Sequence, residues 1–137
     1  MIVNVTGTGT LGDDTYSLLK KSLDASALRS KVSANNIANI NTKNYKKLYV
    51  TFEDTLNDSM AADTMKTDNS KDIQAGNSNG TITVKRDEST SERQDGNNVD
   101  IDLEMTNQAA NSLMYDALVT QVNSKISLTS YIIGGGK

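Results

Sequence analysis

The chain has 137 residues, a formal net charge of −3 and no His, Cys, Pro or Trp. The missing His and Cys remove the commonest general base, the commonest zinc ligands, the thiolate nucleophile and any disulfide framework. The acidic balance excludes the basic face of a general nucleic-acid binder, and no apolar run approaches the ~18 residues of a membrane-spanning helix.

Residues 1–12 are small and Gly/Thr-rich and read as a flexible leader. GTGTLG (7–12) lacks the preceding strand and following Lys of a phosphate-binding loop. No basic n-region precedes a long apolar stretch, so a cleaved secretory signal is not expected. A helix is predicted over 13–39, with Asp13 placed to cap its first turn. Tyr16, Leu19, Leu23, Ala27, Ala34, Ile37 and Ala38 follow one helical stripe; Leu18, Ala25, Leu28 and Val32 follow another on nearly the opposite face.

The segment 40–98 is polar, with a short β element. LYVTFEDTLNDSM (48–60) is ambiguous: Leu48, Val50 and Phe52 alternate as in a strand, while Phe52, Leu56 and Met60 are spaced as in a helix. TITVKR (81–86) is the strongest strand, with β-branched residues at 81–84. DGNNVDIDLE (95–104) has the flavour of a calcium loop, but no register puts Gly sixth and Glu twelfth, and capping of the next helix explains its acids better. That last helix is predicted over 99–133, opened by Asn98 or Asp100 and stopped by Gly134–Gly136. Leu103, Ala110, Leu113, Ala117, Ser124, Leu128 and Tyr131 trace one of its stripes, and Tyr115, Val119, Val122, Ile126 and Ile133 another.

Residues 1–137 therefore read as a single domain, mainly α: two long terminal helices pairing as a coiled-coil-like antiparallel unit around an irregular middle. One stripe on each helix serves that pair. The second stripes are expected to dock onto other chains, because residues 61–98 carry few apolar side chains to cover them. Packing through the last helix is assigned to Val99, Leu103, Met105, Ala110, Leu113 and Tyr115, then Ala117, Leu118, Val119, Val122, Ile126 and Leu128. The stripes are interrupted by small residues, so the isolated chain is expected to be marginal and to gain order in company.

One stretch resists the simple helix reading. ANNIANINTKNYKK (34–47) carries Asn at 35, 36, 39, 41 and 44. Either these residues end a helix and make turns, where Asn tolerates left-handed geometry, or buried amides fix register by hydrogen bonding. Lys43, Lys46 and Lys47 form a small basic cluster for which solvated surface is the default and contact with an acidic neighbour the alternative.

This stretch resembles the N-terminal signature of the flagellar axial proteins. In that family a helix ends in a pattern close to A-N-N-I-A-N-x-N-T-x-x-Y, matched here by Ala34, Asn35, Asn36, Ile37, Ala38, Asn39, Asn41, Thr42 and Tyr45. Lys43–Asn44 departs from the family's usual Pro-Gly, although Asn44 can replace Gly at a positive-φ position. The C-terminal third is similar to the proximal rod members of the family: DGN-x-V-D-x-x-x-E-M is matched by Asp95, Gly96, Asn97, Val99, Asp100, Glu104 and Met105, and Y-x-A-L-V by Tyr115, Ala117, Leu118 and Val119. The resemblance implies a structural subunit of the basal-body rod, with the matched N-terminal residues as its assembly motif. It implies export without a cleaved signal, helical assembly around the export channel, and torque transmission across the periplasm. The implied partners are copies of the chain, other rod proteins, the rod-base adaptor, the MS ring and the export gate. No catalytic residue, cofactor, metal, nucleic acid, small-molecule substrate or direct membrane insertion is expected. The alternative is a small secreted helical-hairpin protein or assembly adaptor.

Overall fold

A computed structural model describes residues 11–64, 80–89 and 94–135. The expected leader therefore lies almost wholly outside the described residues, as does most of the polar stretch 61–79. The element order is α1 (Leu11–Ala38), β1 (Leu48–Thr51), α2 (Glu53–Thr64), β2 (Thr83–Arg86) and α3 (Ile101–Ile133). Among the described residues, no helix is long and apolar enough to cross a membrane.

The molecule is built on α1 and α3, which pack closely together. α1 begins at Leu11, so Asp13 falls inside its first turn rather than at its cap. α3 is capped by Asp100, whose carboxylate accepts the backbone N–H groups of Asp102 (2.9 Å) and Leu103 (3.2 Å). It ends where the Gly134 N–H returns to Ser130 O and Gly135 takes φ +71°. Its 33 residues span roughly 50 Å.

The ambiguous segment 48–60 contains both elements. Leu48–Thr51 is a strand, paired antiparallel with β2 in the register Leu48↔Arg86 to Thr51↔Thr83. Phe52 is the pivot: its side chain is buried, and its carbonyl accepts Leu56 N and Thr55 Oγ1 to open α2.

Two expectations about the apolar stripes are corrected. The middle of the chain covers the second face of α1: Ala25 and Val32 are buried, β1 packs on this helix, Lys21 Nζ reaches Gly80 O and Arg29 pairs with Glu53. The cover includes Leu48–Phe52, which precedes the polar stretch that looked too poor to provide it. The seam between α1 and α3 is also polar where an apolar one was expected. Ser26 Oγ donates to Asn111 Oδ1 (2.9 Å), Gln108 Nε2 to Ser30 Oγ (2.9 Å) and Ser33 Oγ to Glu104 Oε2 (2.9 Å), an antiparallel series of rungs. Small Ser residues let the backbones approach, and their hydroxyls pair with the facing Asn111, Gln108 and Glu104 side chains, while Gln108 Oε1 is buried without a hydrogen-bond partner among the described residues.

The stripe of Leu103, Ala110, Leu113, Ala117, Ser124, Leu128 and Tyr131 turns outward and is exposed. From the second stripe Val119 and Val122 are half-buried, while Tyr115, Ile126 and Ile133 are exposed. Equal rise along both helices places Leu11 level with about residue 126, given the Ser26–Asn111 rung. The last two turns of α3 thus run beyond the described part of α1.

Candidate assembly site

Two stretches singled out in the sequence, 34–45 and 95–105, meet at one end of the helix pair. Asn36 is the centre. It sits on the last turns of α1 and is 1% exposed. Its Nδ2 donates to Leu48 O (2.8 Å) and Glu104 Oε2 (3.2 Å); its Oδ1 accepts Leu48 N (2.9 Å) and the Tyr45 hydroxyl (3.1 Å). An amide side chain offers two donors and two acceptor positions, and all four are occupied. The side chain thus imitates a strand against the edge of β1 while holding the start of α3. Asn36 therefore braces its own chain.

The other asparagines divide the remaining work. Asn39 Nδ2 donates to Asn35 O and Asn35 Oδ1, both at 2.8 Å, and Thr42 Oγ1 donates to Asn39 Oδ1 (3.2 Å). Tyr45 Oη also faces Asn35 Oδ1 at 3.2 Å. Asn44 takes φ +59°, the left-handed conformation that the family's glycine would otherwise supply, and its N–H donates to Asp95 O (2.9 Å). Asn41 and Ala38 are exposed and Ile37 is half-buried. Both readings of the asparagine stretch therefore apply, each to different members.

Residues 95–104 clasp this turn from the other side. Asn97 is fully buried, and its Nδ2 lies 2.9, 2.9 and 3.0 Å from the carbonyls of Asn39, Ile40 and Thr42. These carbonyls just past the end of α1 need donors, which the buried amide provides. Asn97 Oδ1 in turn accepts Val99 N at 2.8 Å. Gly96 has φ +77°, the left-handed conformation that favours glycine, and a Cβ on it would meet Asn44 Oδ1 at 2.6 Å and displace that amide. Asn98 extends the β ladder, accepting Lys47 N (2.7 Å) and donating to Asp87 O (3.0 Å). Val99 is buried beside it.

Glu104 closes the lock from α3, 5% exposed. The Tyr45 phenol is pushed above its ordinary value by burial; Arg86 opposes this and the Glu104 charge adds to it. Within the basic cluster, Lys46 Nζ donates to Ser89 O and Lys47 pairs with Asp87, so two of three lysines are used within the chain, while Lys43 is exposed.

Sequence reasoning on the site missed Ser33, Leu48, Asn97, Asn98 and Glu104. The fixed spacing of DGN-x-V-D-x-x-x-E-M was the signal for two of them, Asn97 and Glu104; Asn98, at a variable position of that pattern, stood out only as a candidate helix cap, and Ser33 and Leu48 carried no signal. Of the residues assigned to packing through the last helix, the fold brings Val99 into the core and half-buries Leu118, Val119 and Val122. It leaves Leu103, Met105, Ala110, Leu113, Tyr115, Ala117, Ile126 and Leu128 exposed on the single chain. The lock itself consists of amides, hydroxyls, backbone groups and one carboxylate, and its evident chemistry is to join the end of α1 to the start of α3.

Residues 23–46, which include most of this lock's N-terminal half, match the family described as flagella basal body rod protein. The chain is 40% identical over 121 residues to the flagellar basal body rod protein FlgB of Bacillus subtilis (strain 168), covering 87% of this chain and 92% of that protein. It is 35% identical over 116 residues to FlgB of Borrelia hermsii, covering 78% of this chain and 85% of that protein. Relatedness across both halves of the lock and nearly the whole length of these proteins means that the chain belongs to the FlgB family of flagellar basal body rod proteins.

Proposed function

We propose that the chain is a structural subunit of the proximal rod of the bacterial flagellar basal body, without enzymatic activity. The observation that carries the reading is the outward stripe of α3. Leu113 is 73% exposed and Leu128 55%, in a chain whose relatives along nearly their whole length are rod proteins. A face of this kind, left open by a subunit whose own seam is polar, suits helix packing against neighbours. The subunits assemble helically with copies of themselves and with other rod proteins, next to the rod-base adaptor, the MS ring and the export gate. The residues matched at 34–45 act as the assembly motif by fixing the angle at which α1 leaves the lock, and the exposed α3 residues supply the contacts. The chain reaches the rod through the export channel without cleavage of a signal, and the assembled helices share torque through many contacts.

The test is deletion of the gene, electron microscopy of the envelope and plasmid complementation. Cells without hooks and filaments, restored by the plasmid, are expected. Normal motile flagella in the deletion strain, with no second copy in the genome, would refute the reading.

A further inference from the structure

Beside the lock, an open groove of about 330 Å³ lies between α1, β1 and α3. That is the small end of the range for binding clefts (~300–1,000 Å³), nearer to one long side chain than to a folded ligand. Val32, Leu48, Val50 and Met114 provide apolar wall, and Glu104 reaches the groove from its buried position. Both donors to this carboxylate, Ser33 Oγ and Asn36 Nδ2, fall on Oε2. Among the described residues, no hydrogen bond or ion pair reaches Oε1. The cation lining the same groove, Arg29, is paired with Glu53.

A carboxylate removed from water is costly unless a cation or several donors meet it. Here two neutral donors hold one oxygen, and the other opens onto a groove whose walls suit a methylene stem. β1 adds a further recognition element. Lys47 O accepts Asp87 N, so the alternation of the ladder turns the N–H and C=O of Leu48 and Val50 away from β2. Asn36 occupies those of Leu48; those of Val50 have no partner among the described residues.

The geometry points to a docking groove that receives a basic side chain, arginine or lysine, from an adjoining subunit and pairs it with Glu104 Oε1. Charge complementarity selects the occupant, and the rod reading is needed only to make its source an adjoining subunit. The guanidinium or ammonium meets the carboxylate at the groove floor, the stem lies on Val32 and Met114, and the Val50 edge offers one donor and one acceptor to the incoming chain.

The experiment is amide-resolved NMR of the isotopically labelled full chain, titrated with N-acetyl-arginine amide and with its neutral isostere, N-acetyl-citrulline amide. Saturable shifts at Val50, Glu104 and Met114 are expected with the arginine probe, and binding about tenfold weaker with citrulline, the scale of one charge-assisted contact. Glu104→Gln should abolish the preference for arginine. Ala110→Lys places an ammonium at an exposed position on the groove wall and should remove arginine binding with helix content unchanged; it decides the matter if Glu104→Gln does not fold. Equal binding of the two probes, shifts confined to other surfaces, or arginine binding unchanged by Ala110→Lys would each overturn the inference. In cells, Ala110→Lys should lose motility; motile Ala110→Lys cells would overturn the claim that the groove is filled in the rod. The titration needs no assembled rod, so its failure is distinct from failure of the rod reading, which the gene deletion tests separately.

Discussion

Replacing Asn36 by Ala removes the one side chain that touches α3, β1 and the turn after α1 together. Glu104 keeps Ser33 as a donor and Tyr45 keeps Asn35 as an acceptor, so these two partners are only weakened. Leu48 fares worse, because its N–H and C=O both lose the partner that held them at 2.9 and 2.8 Å. An orphaned buried polar group costs roughly 1–3 kcal/mol, and Leu48 is only half-buried, so the pair should cost about 2–4 kcal/mol. That is a large share of the roughly 5–15 kcal/mol typical of a domain. The share is greater here because Ala25, Val32, Phe52 and Val99 are the only buried apolar side chains among the described residues. Urea denaturation followed by far-ultraviolet circular dichroism measures the loss, with the exposed Asn41→Ala as control, expected within about 0.5 kcal/mol of the parent. Asn36→Asp sharpens the comparison. It keeps the shape but turns an oxygen toward Leu48 O and Glu104, which raises the folded-state pKa of the new carboxyl above its unfolded value of ~3.9. A raised pKa favours the folded state below the unfolded pKa and loses that benefit as pH rises through the folded one, so the deficit of Asn36→Asp should shrink in acid. If Asn36→Ala costs no more than Asn41→Ala, the lock does not hold the fold and the reasoning fails.

Asn97→Leu should destabilise the chain by about 2 kcal/mol or more, since Ile40 O and the buried Val99 N–H lose their partner while the carbonyls of Asn39 and Thr42 keep one backbone donor each, and slowed amide exchange at residues 39–44 would contradict this. Gly96→Ala should cost about 1–3 kcal/mol, chiefly through its positive φ, in the same denaturation assay; a neutral result would mean the loop can change conformation at no cost. Glu53 is held below its ordinary carboxylate value chiefly by its hydrogen bond from Arg29. A lowered folded-state pKa gives stability above the unfolded value that is lost as pH falls through the folded one. Arg29→Ala should therefore flatten part of the acid limb of a stability–pH profile and leave neutral-to-alkaline values parallel to the parent. Leu113→Ser should change monomer stability by less than about 0.5 kcal/mol yet impair motility in soft agar; a stable, fully motile variant would remove the outward face of α3 from assembly.

The chain's own pattern determined its long elements. Helical periodicity, the absence of Pro, an acidic first turn and terminal glycines are local signals, and they placed α3 within two residues of its expected start and ended it at Ile133. The β-branched run at 81–84 likewise announced a strand. The spacing of residues 34–45 and 95–105 announced that two segments mattered, before anything showed that they touch. Tertiary structure alone decided which side of each helix faces inward. Periodicity reports apolar stripes, whereas the seam between α1 and α3 is built from Ser, Gln, Asn and Glu, whose pairing depends on a partner some seventy to eighty-five positions away. Segment 48–60 satisfied both periods, and the ladder with β2 resolved it by giving 48–51 hydrogen-bond partners that no isolated strand has. Asn36 and Asn97 are mediocre helix and loop residues by local preference. They become the centre of the lock only because folding surrounds their amides with backbone groups that have no other partner.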